Sequence, residues 1–185
     1  MGESTKQSLI EALRSTGDRA VAALRAVPAD AWDGGRYENG WTARQILAHV
    51  AAIEWTYARL IDVARGGDAP PATVPAASEV KRTTPEESPQ HASRPPRGGI
   101  DDYNARQVEK RAALPVAELI SELETNRAAT IAAVERADDA LFDTPIRSAG
   151  GITGPLADVI RAVAIEHVMG HVSDITGEKW EGKRW

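Results

Sequence analysis

The sequence predicts an all-α protein: a four-helix bundle with short accessory helices and a long proline-rich loop, folded as a single domain over residues 1–185. Three observations carry that prediction. Four segments of about 20 residues, each about 30 Å long as a helix, repeat apolar side chains at helical spacing. No stretch alternates apolar and polar residues as a half-buried strand would. Seven of the 11 prolines fall together, at positions 70, 71, 75, 85, 89, 95 and 96, and mark one irregular connection between helical runs.

The first helix is expected over residues 5–27, with Leu9, Ile10, Leu13, Ala20, Leu24 and Val27 on its apolar side; Pro28 ends it, having no N–H to continue the ladder. Residues 28–40 read as a turn-rich connection, with Trp32 folded back onto the bundle. The second helix is expected from Thr42 to Ala64. Thr42 and Gln45 form a Thr-x-x-Gln capping box, and Trp41 and Ile46 are spaced for a hydrophobic staple. Its stripe comprises Ile46, His49, Val50, Ile53, Tyr57, Leu60 and Ile61, and Gly66 and Gly67 stop it.

Residues 68–99 have no periodicity and read as a long loop that could serve as a lid. A third helical region begins at Asp101 or Asp102, either of which could cap it, and carries Tyr103, Val108 and Leu114. Pro115 suits the first turn of the next helix, which runs to Ala137 with Leu119, Leu123, Ile131 and Val134 inward. Residues 138–154 read as a connection. The last helix is expected from Pro155 to Thr176, closed by Gly177, with Leu156, Val159, Ile160, Val163, His167 and His171 at helical spacing. The tail carries Trp180 and Trp185, for which packing across the bundle end is the simplest role.

Composition narrows the function classes. The net charge is -5 and the pI about 5.4, against a nucleic-acid binder, which would show a basic face. There is no cysteine, so disulfides and thiolate metal sites are excluded and any nucleophilic thiol must come from a cofactor or substrate. The N-terminus lacks an apolar signal segment and no apolar run reaches membrane-spanning length. A cytoplasmic protein is expected, monomeric or homodimeric, with small molecules rather than nucleic acid or membrane as partners.

Three of the four histidines sit on apolar helix stripes. His167 and His171, at i and i+4, share one helix face and can bind an ion in cis; His49 offers a third ligand from another helix. The segment His167-Val168-Met169-Gly170-His171 lacks the glutamate of a zinc-protease motif. Three buried neutral imidazoles need partners for their ring nitrogens. A shared divalent ion supplies one to each and leaves a coordination position open; hydrogen-bonded core histidines are the alternative. Imidazoles suit several ions, zinc and nickel among them. Asp174, one turn beyond His171, could orient a ring or lie as a solvated charge. His91 in the proline-rich loop reads as a surface residue, with a lid histidine approaching the metal as the alternative. Glu166 points about 100° away from His167 on an ideal helix.

The segment Trp41-Thr42-x-x-x-Ile46-Leu47-Ala48-His49-Val50 resembles the signature helix of the DinB-like superfamily, and His167-x-x-x-His171-x-x-Asp174 is similar to that family's C-terminal ligand segment. The opening of the third helical region, Tyr103-Asn104-Ala105-Arg106, also resembles the family. The resemblance spans roughly residues 5–177. It implies an up-down-down-up bundle holding a divalent metal, often zinc or nickel, on three ligands, here His49, His167 and His171. Relatives include the N-terminal domain of mycothiol-dependent maleylpyruvate isomerase and the bacillithiol and mycothiol S-transferases. In the isomerase branch the position of His167 is often Glu, and many isomerase relatives carry a second domain, so this chain stands closer to the general pattern.

On this reading the leading function is a metal-dependent enzyme that activates a low-molecular-weight thiol such as mycothiol, as a transferase or isomerase. Trp55, Tyr57 and Tyr103 are candidate pocket walls, and Arg106 a candidate contact for an anionic group of thiol or substrate. The catalytic residues themselves are open, with Arg106 and Asp174 as candidates. A metal-assisted hydrolase using bound hydroxide, and a non-catalytic metal- or ligand-binding stress or resistance protein, are the alternatives.

Overall fold

Periodic apolar positions become buried faces. The structure, a computed structural model, describes residues 5–34, 40–66 and 99–182. Helix α1 spans Thr5–Arg25 and buries Leu9, Ile10, Leu13, Ala20 and Leu24. A short 3₁₀ turn, Ala29–Ala31, follows Pro28 and delivers Trp32 into the core at 4% exposure. The Trp32 carbonyl then accepts from Arg44 N–H at 2.9 Å, and the Arg44 guanidinium pairs with Asp33 at 2.8 Å, fixing the approach to the second helix.

Helix α2 spans Ala43–Glu54, and both halves of the capping box form: Thr42 Oγ1 accepts from Gln45 N–H, and Gln45 Oε1 accepts from Thr42 N–H at 2.9 Å. The expected continuous helix to Ala64 is interrupted. Residues 55–59 form tight turns closed by i→i−3 bonds such as Thr56 N–H to Ile53 O at 2.9 Å and Tyr57 N–H to Glu54 O at 3.1 Å. Thr56 Oγ1 also donates to the Ile53 carbonyl, at 2.6 Å, and this local competition tightens the backbone. The helix resumes as α3, Leu60–Ala64, and Gly66 follows at φ +88°.

The proline-rich segment 68–99, its suggested lid role and His91 lie outside the described residues, apart from Gly99. Helix α4 spans Ile100–Arg111, and its N-cap is Gly99 rather than Asp101 or Asp102. Those aspartates occupy the first turn, where they favour the positive end of the helix dipole without bonding as caps. Pro115 is the N-cap of α5, Val116–Arg136. A 3₁₀ turn, Asp139–Asp143, buries Phe142. The expected plain connection over 138–154 contains a small antiparallel hairpin, β1 (Pro145–Arg147) with β2 (Thr153–Pro155), in register Ile146 to Gly154. The last helix is three pieces: α6 (Leu156–Ile160), a π-helical turn (Arg161–Glu166) and α7 (His167–Thr176), closed by Gly177 at φ +74°.

Helix α5 packs on both α1 and α2, and α7 also packs on both, while α4 lies against α2. Side-chain ties give the directions. Lys6 reaches the Ala137 carbonyl and Asp139, Arg14 pairs with Glu135 and Arg25 with Glu124, so α1 and α5 are antiparallel. Arg44 reaches the Leu114 carbonyl and Asn126 the Ala51 carbonyl, so α2 and α5 are parallel. Tyr57 meets His167 while His49 lies by His171, so α2 and α7 are antiparallel. The order is up-down-down-up. At the α7 end, Trp180 packs against the core and Arg19 of α1 lies 5.4 Å over its ring; Trp185 is outside the described residues. Among the described residues, no helix is long and apolar enough to cross a membrane.

Candidate metal centre

The antiparallel contact of α2 with α7 brings three imidazoles to one point. The capping box sets where α2 starts and so the rotation of His49, which lands in the buried stripe at 5% exposure. His167 and His171 stack one turn apart on α7 and are half-buried. Ring centroids are 5.7 Å apart for His49 and His167, 5.2 Å for His49 and His171, and 4.6 Å for His167 and His171. The planes stand at 71–90° to one another, so ring edges rather than faces converge. Nε2 of His167 and Nε2 of His171 are 3.0 Å apart, and one nitrogen from each of the three rings lies within 4.8 Å of the others.

These residues fit a divalent ion. Metal–nitrogen bonds of about 2.0–2.1 Å in tetrahedral geometry hold nitrogens roughly 3.4 Å apart, inside the spread of this cluster. His49 Nδ1 is buried with no hydrogen-bond partner, a cost that a hydrogen-bonded core histidine would not carry. Burial, reinforced by the neighbouring His171 and His167, pushes His49 down to about 3. Burial and His171 push His167 down to about 4, against the Val163 carbonyl. Both rings are neutral near pH 7, the form that ligates metals.

Two of the residues that the sequence singled out approach the histidines. Tyr57 Oη lies 3.3 Å from His167 Nδ1, on the side of the ring away from the facing Nε2 atoms. Asp174 Oδ2 lies 3.5 Å from His171 Nδ1. Tyr103 is buried on α4 and Arg106 is exposed on the same helix. Trp55 is turned outward at 38% exposure, with the Arg59 guanidinium 5.5 Å over its ring.

Three residues near the cluster were not picked out in these roles. Trp41, read as a staple, places its ring 5.2 Å from that of His49. Glu54 and Arg127 form an ion pair inside the bundle, at 0% and 6% exposure. Both were visible as charges in apolar settings: Glu54 closes the run Ala51-Ala52-Ile53, and Arg127 stands at i+4 from Leu123 and i−4 from Ile131.

The depressed histidines make the metal-free chain acid-sensitive. A histidine whose folded pKa lies below its unfolded value of 6.5 binds its proton more readily when unfolded, so stability is full above pH 6.5 and falls as pH drops toward the folded value. For His49 the window runs from 6.5 down to about 3. Between pH 7 and pH 5 the metal-free wild type is expected to lose about 2 kcal/mol relative to His49→Leu, at about 1.4 kcal/mol per pH unit. Urea unfolding of both at the two pH values checks this; a constant difference would contradict it. The Glu54 carboxyl, pushed up to about 7 by burial against the pull of Arg127, acts in the opposite sense between 4.5 and 7 and is common to both proteins.

The fold is similar to that of crystal structures of mycothiol-dependent maleylpyruvate isomerase, with a TM-score of 0.65 at 16% identity, covering 94% of this chain and 63% of that one. A mutant of that isomerase gives a TM-score of 0.64 at the same identity and coverage. The likeness is one of fold, and the chain spans about 63% of the length of those solved chains. No curated protein matches it in sequence. A family model described as the DinB superfamily matches residues 12–175, from within α1 to the end of α7, and the chain belongs to the DinB superfamily.

Proposed function

We propose that the chain is a metal-dependent enzyme in which His49, His167 and His171 hold a divalent ion, zinc or nickel, and a low-molecular-weight thiol is the co-substrate of a transfer or isomerisation. The observation that supports it is the convergence of three imidazoles from two helices with a buried nitrogen of His49 unpartnered. An ion held there with open positions supplies Lewis acidity and lowers the pKa of a bound thiol or water. The chain's own contribution is geometric: Tyr57 and Asp174 approach the Nδ1 atoms of His167 and His171 and hold those rings with Nε2 toward the centre. With no cysteine in the chain, the thiol comes from outside. Mycothiol is the first choice because the structurally similar isomerase is mycothiol-dependent.

The test is to load the protein with Zn²⁺ or Ni²⁺, incubate it with mycothiol and a panel of electrophiles including maleylpyruvate, and follow conjugates and isomers by mass spectrometry. Turnover above that of His49→Ala is expected. Turnover without any thiol would replace this reading by a hydrolase. Tight stoichiometric metal binding with no turnover across the panel would replace it by a non-catalytic binding protein.

A further inference from the structure

The most deeply buried charges in the bundle belong to a pair outside the histidine cluster. Arg127 projects from α5 into the centre and touches the other three helices of the bundle. Its Nε lies 2.7 Å from Glu54 Oε1, and its Nη2 donates to Glu54 Oε2 at 3.1 Å. Nη2 also donates to the Ala164 carbonyl at 2.5 Å, and Nη1 to the Leu13 carbonyl of α1 at 3.4 Å. Gly17 on α1 leaves room for the stem: a Cβ there would come within 3.2 Å of Arg127 Cγ.

The two ends of this tie fall beside the ligands. Glu54 is five residues beyond His49 on the same helix, and Ala164 is three residues before His167. Ala164 lies in the π-helical turn, where the His167 N–H bonds the Ala162 carbonyl instead of the Val163 carbonyl that an α-helix would offer. One extra residue per turn also rotates everything downstream by about 100° relative to an unbroken α-helix, and so sets the face on which His167 and His171 stand. π-Helical turns are rare and collect at functional sites. A buried ion pair gives little net stability over apolar side chains of similar size, so stability alone does not account for this one.

We propose that Glu54 and Arg127 are positioning residues for the histidine cluster: they pin the π-helical turn to α2 and thereby hold His167 and His171 at the rotation that faces His49. The inference rests on the metal-centre reading. The test uses the full chain and Zn²⁺ in competition with a chelator, with the Co²⁺ absorption spectrum as a second readout. In the double variant Glu54→Leu/Arg127→Met, apolar groups replace both charges. It is expected to fold, to bind Zn²⁺ about 10–100-fold more weakly, the usual cost of losing an outer-shell orienting group, and to show an altered Co²⁺ spectrum. Leu9→Ala, a core deletion near the end of α1 where Lys6 meets Asp139, is expected to lose stability with Zn²⁺ affinity and Co²⁺ spectrum unchanged. A folded double variant with wild-type affinity and spectrum overturns the proposal. Should the double variant not fold, Arg127→Lys keeps the charge and loses the fork; weakening of about 10-fold or more supports the proposal, and wild-type binding overturns it. A wild type that binds no Zn²⁺ removes the metal centre itself, and this inference with it.

Discussion

Replacing His49 with alanine is expected to abolish stoichiometric divalent-metal binding while leaving the helices in place. His49 is the one member of the cluster supplied by α2; His167 and His171 both come from α7. Without it, what remains is an i, i+4 pair on one half-buried helix face, too few donors to close or shield a site. The loss in affinity should exceed the roughly 10–100-fold that follows removal of an outer partner. Because an ion held there would bridge two helices, the same substitution should show in stability. At 100 times the dissociation constant, bound metal adds about 2.7 kcal/mol to the folded state. Wild type is therefore expected to melt at higher temperature when Zn²⁺ is added, and His49→Ala to melt at the same temperature with and without it. Calorimetric titration gives the affinities directly. A variant that still binds one equivalent as tightly as wild type would move the site elsewhere.

The histidines were legible because His49 shares a stripe with Ile46 and Ile53 and because His167 and His171 stand at i and i+4 on one helix, and such spacing fixes a shared direction. The bounds of α1, α2 at its start and α5 were legible for a similar reason: Pro28, the Thr42–Gln45 box and Pro115 act on their own neighbours. What escaped the sequence was set by competition or from a distance. The break at 55–59 depends on the Thr56 hydroxyl taking the Ile53 carbonyl, a choice any helical threonine can make or decline. The hairpin strands are three residues each, the first opening and the second closing on a proline, too short for a period to show. The π-helical turn bonds a side chain 37 residues away in sequence, and no periodicity within 161–166 announces it. Glu54 and Arg127 stood in apolar settings, but a charge there reads as buried only once its partner, 73 residues away, is known to face it.

That pair supplies the largest expected change in stability. Arg127→Met leaves the Glu54 carboxyl at 0% exposure without its cation and strips a donor from the Ala164 and Leu13 carbonyls. Glu54→Leu leaves the guanidinium buried without its anion. Each single substitution is expected to cost about 3–5 kcal/mol, the range for breaking one side of a buried pair, out of a total stability of about 5–15 kcal/mol for a domain of this kind. The double variant is expected to recover most of that loss, since no charge is then left uncompensated. The signature is therefore coupling: the two single losses should sum to far more than the double loss in urea unfolding of metal-free protein. Additive losses would mean that the two side chains act independently despite their 2.7 Å contact. The pH dependence adds a second check. Burial raises the Glu54 carboxyl to about 7 while Arg127 pulls it down; with Arg127 removed, only the upward push remains. The carboxyl of Arg127→Met then stays protonated to higher pH than that of wild type, and ionising it in the folded state costs more. The penalty of Arg127→Met is accordingly expected to grow as pH rises above 7, because the wild-type carboxylate gains its guanidinium there and the variant's has none to gain. A penalty that shrinks over that range would mean that the guanidinium does not stabilise the ionised carboxyl.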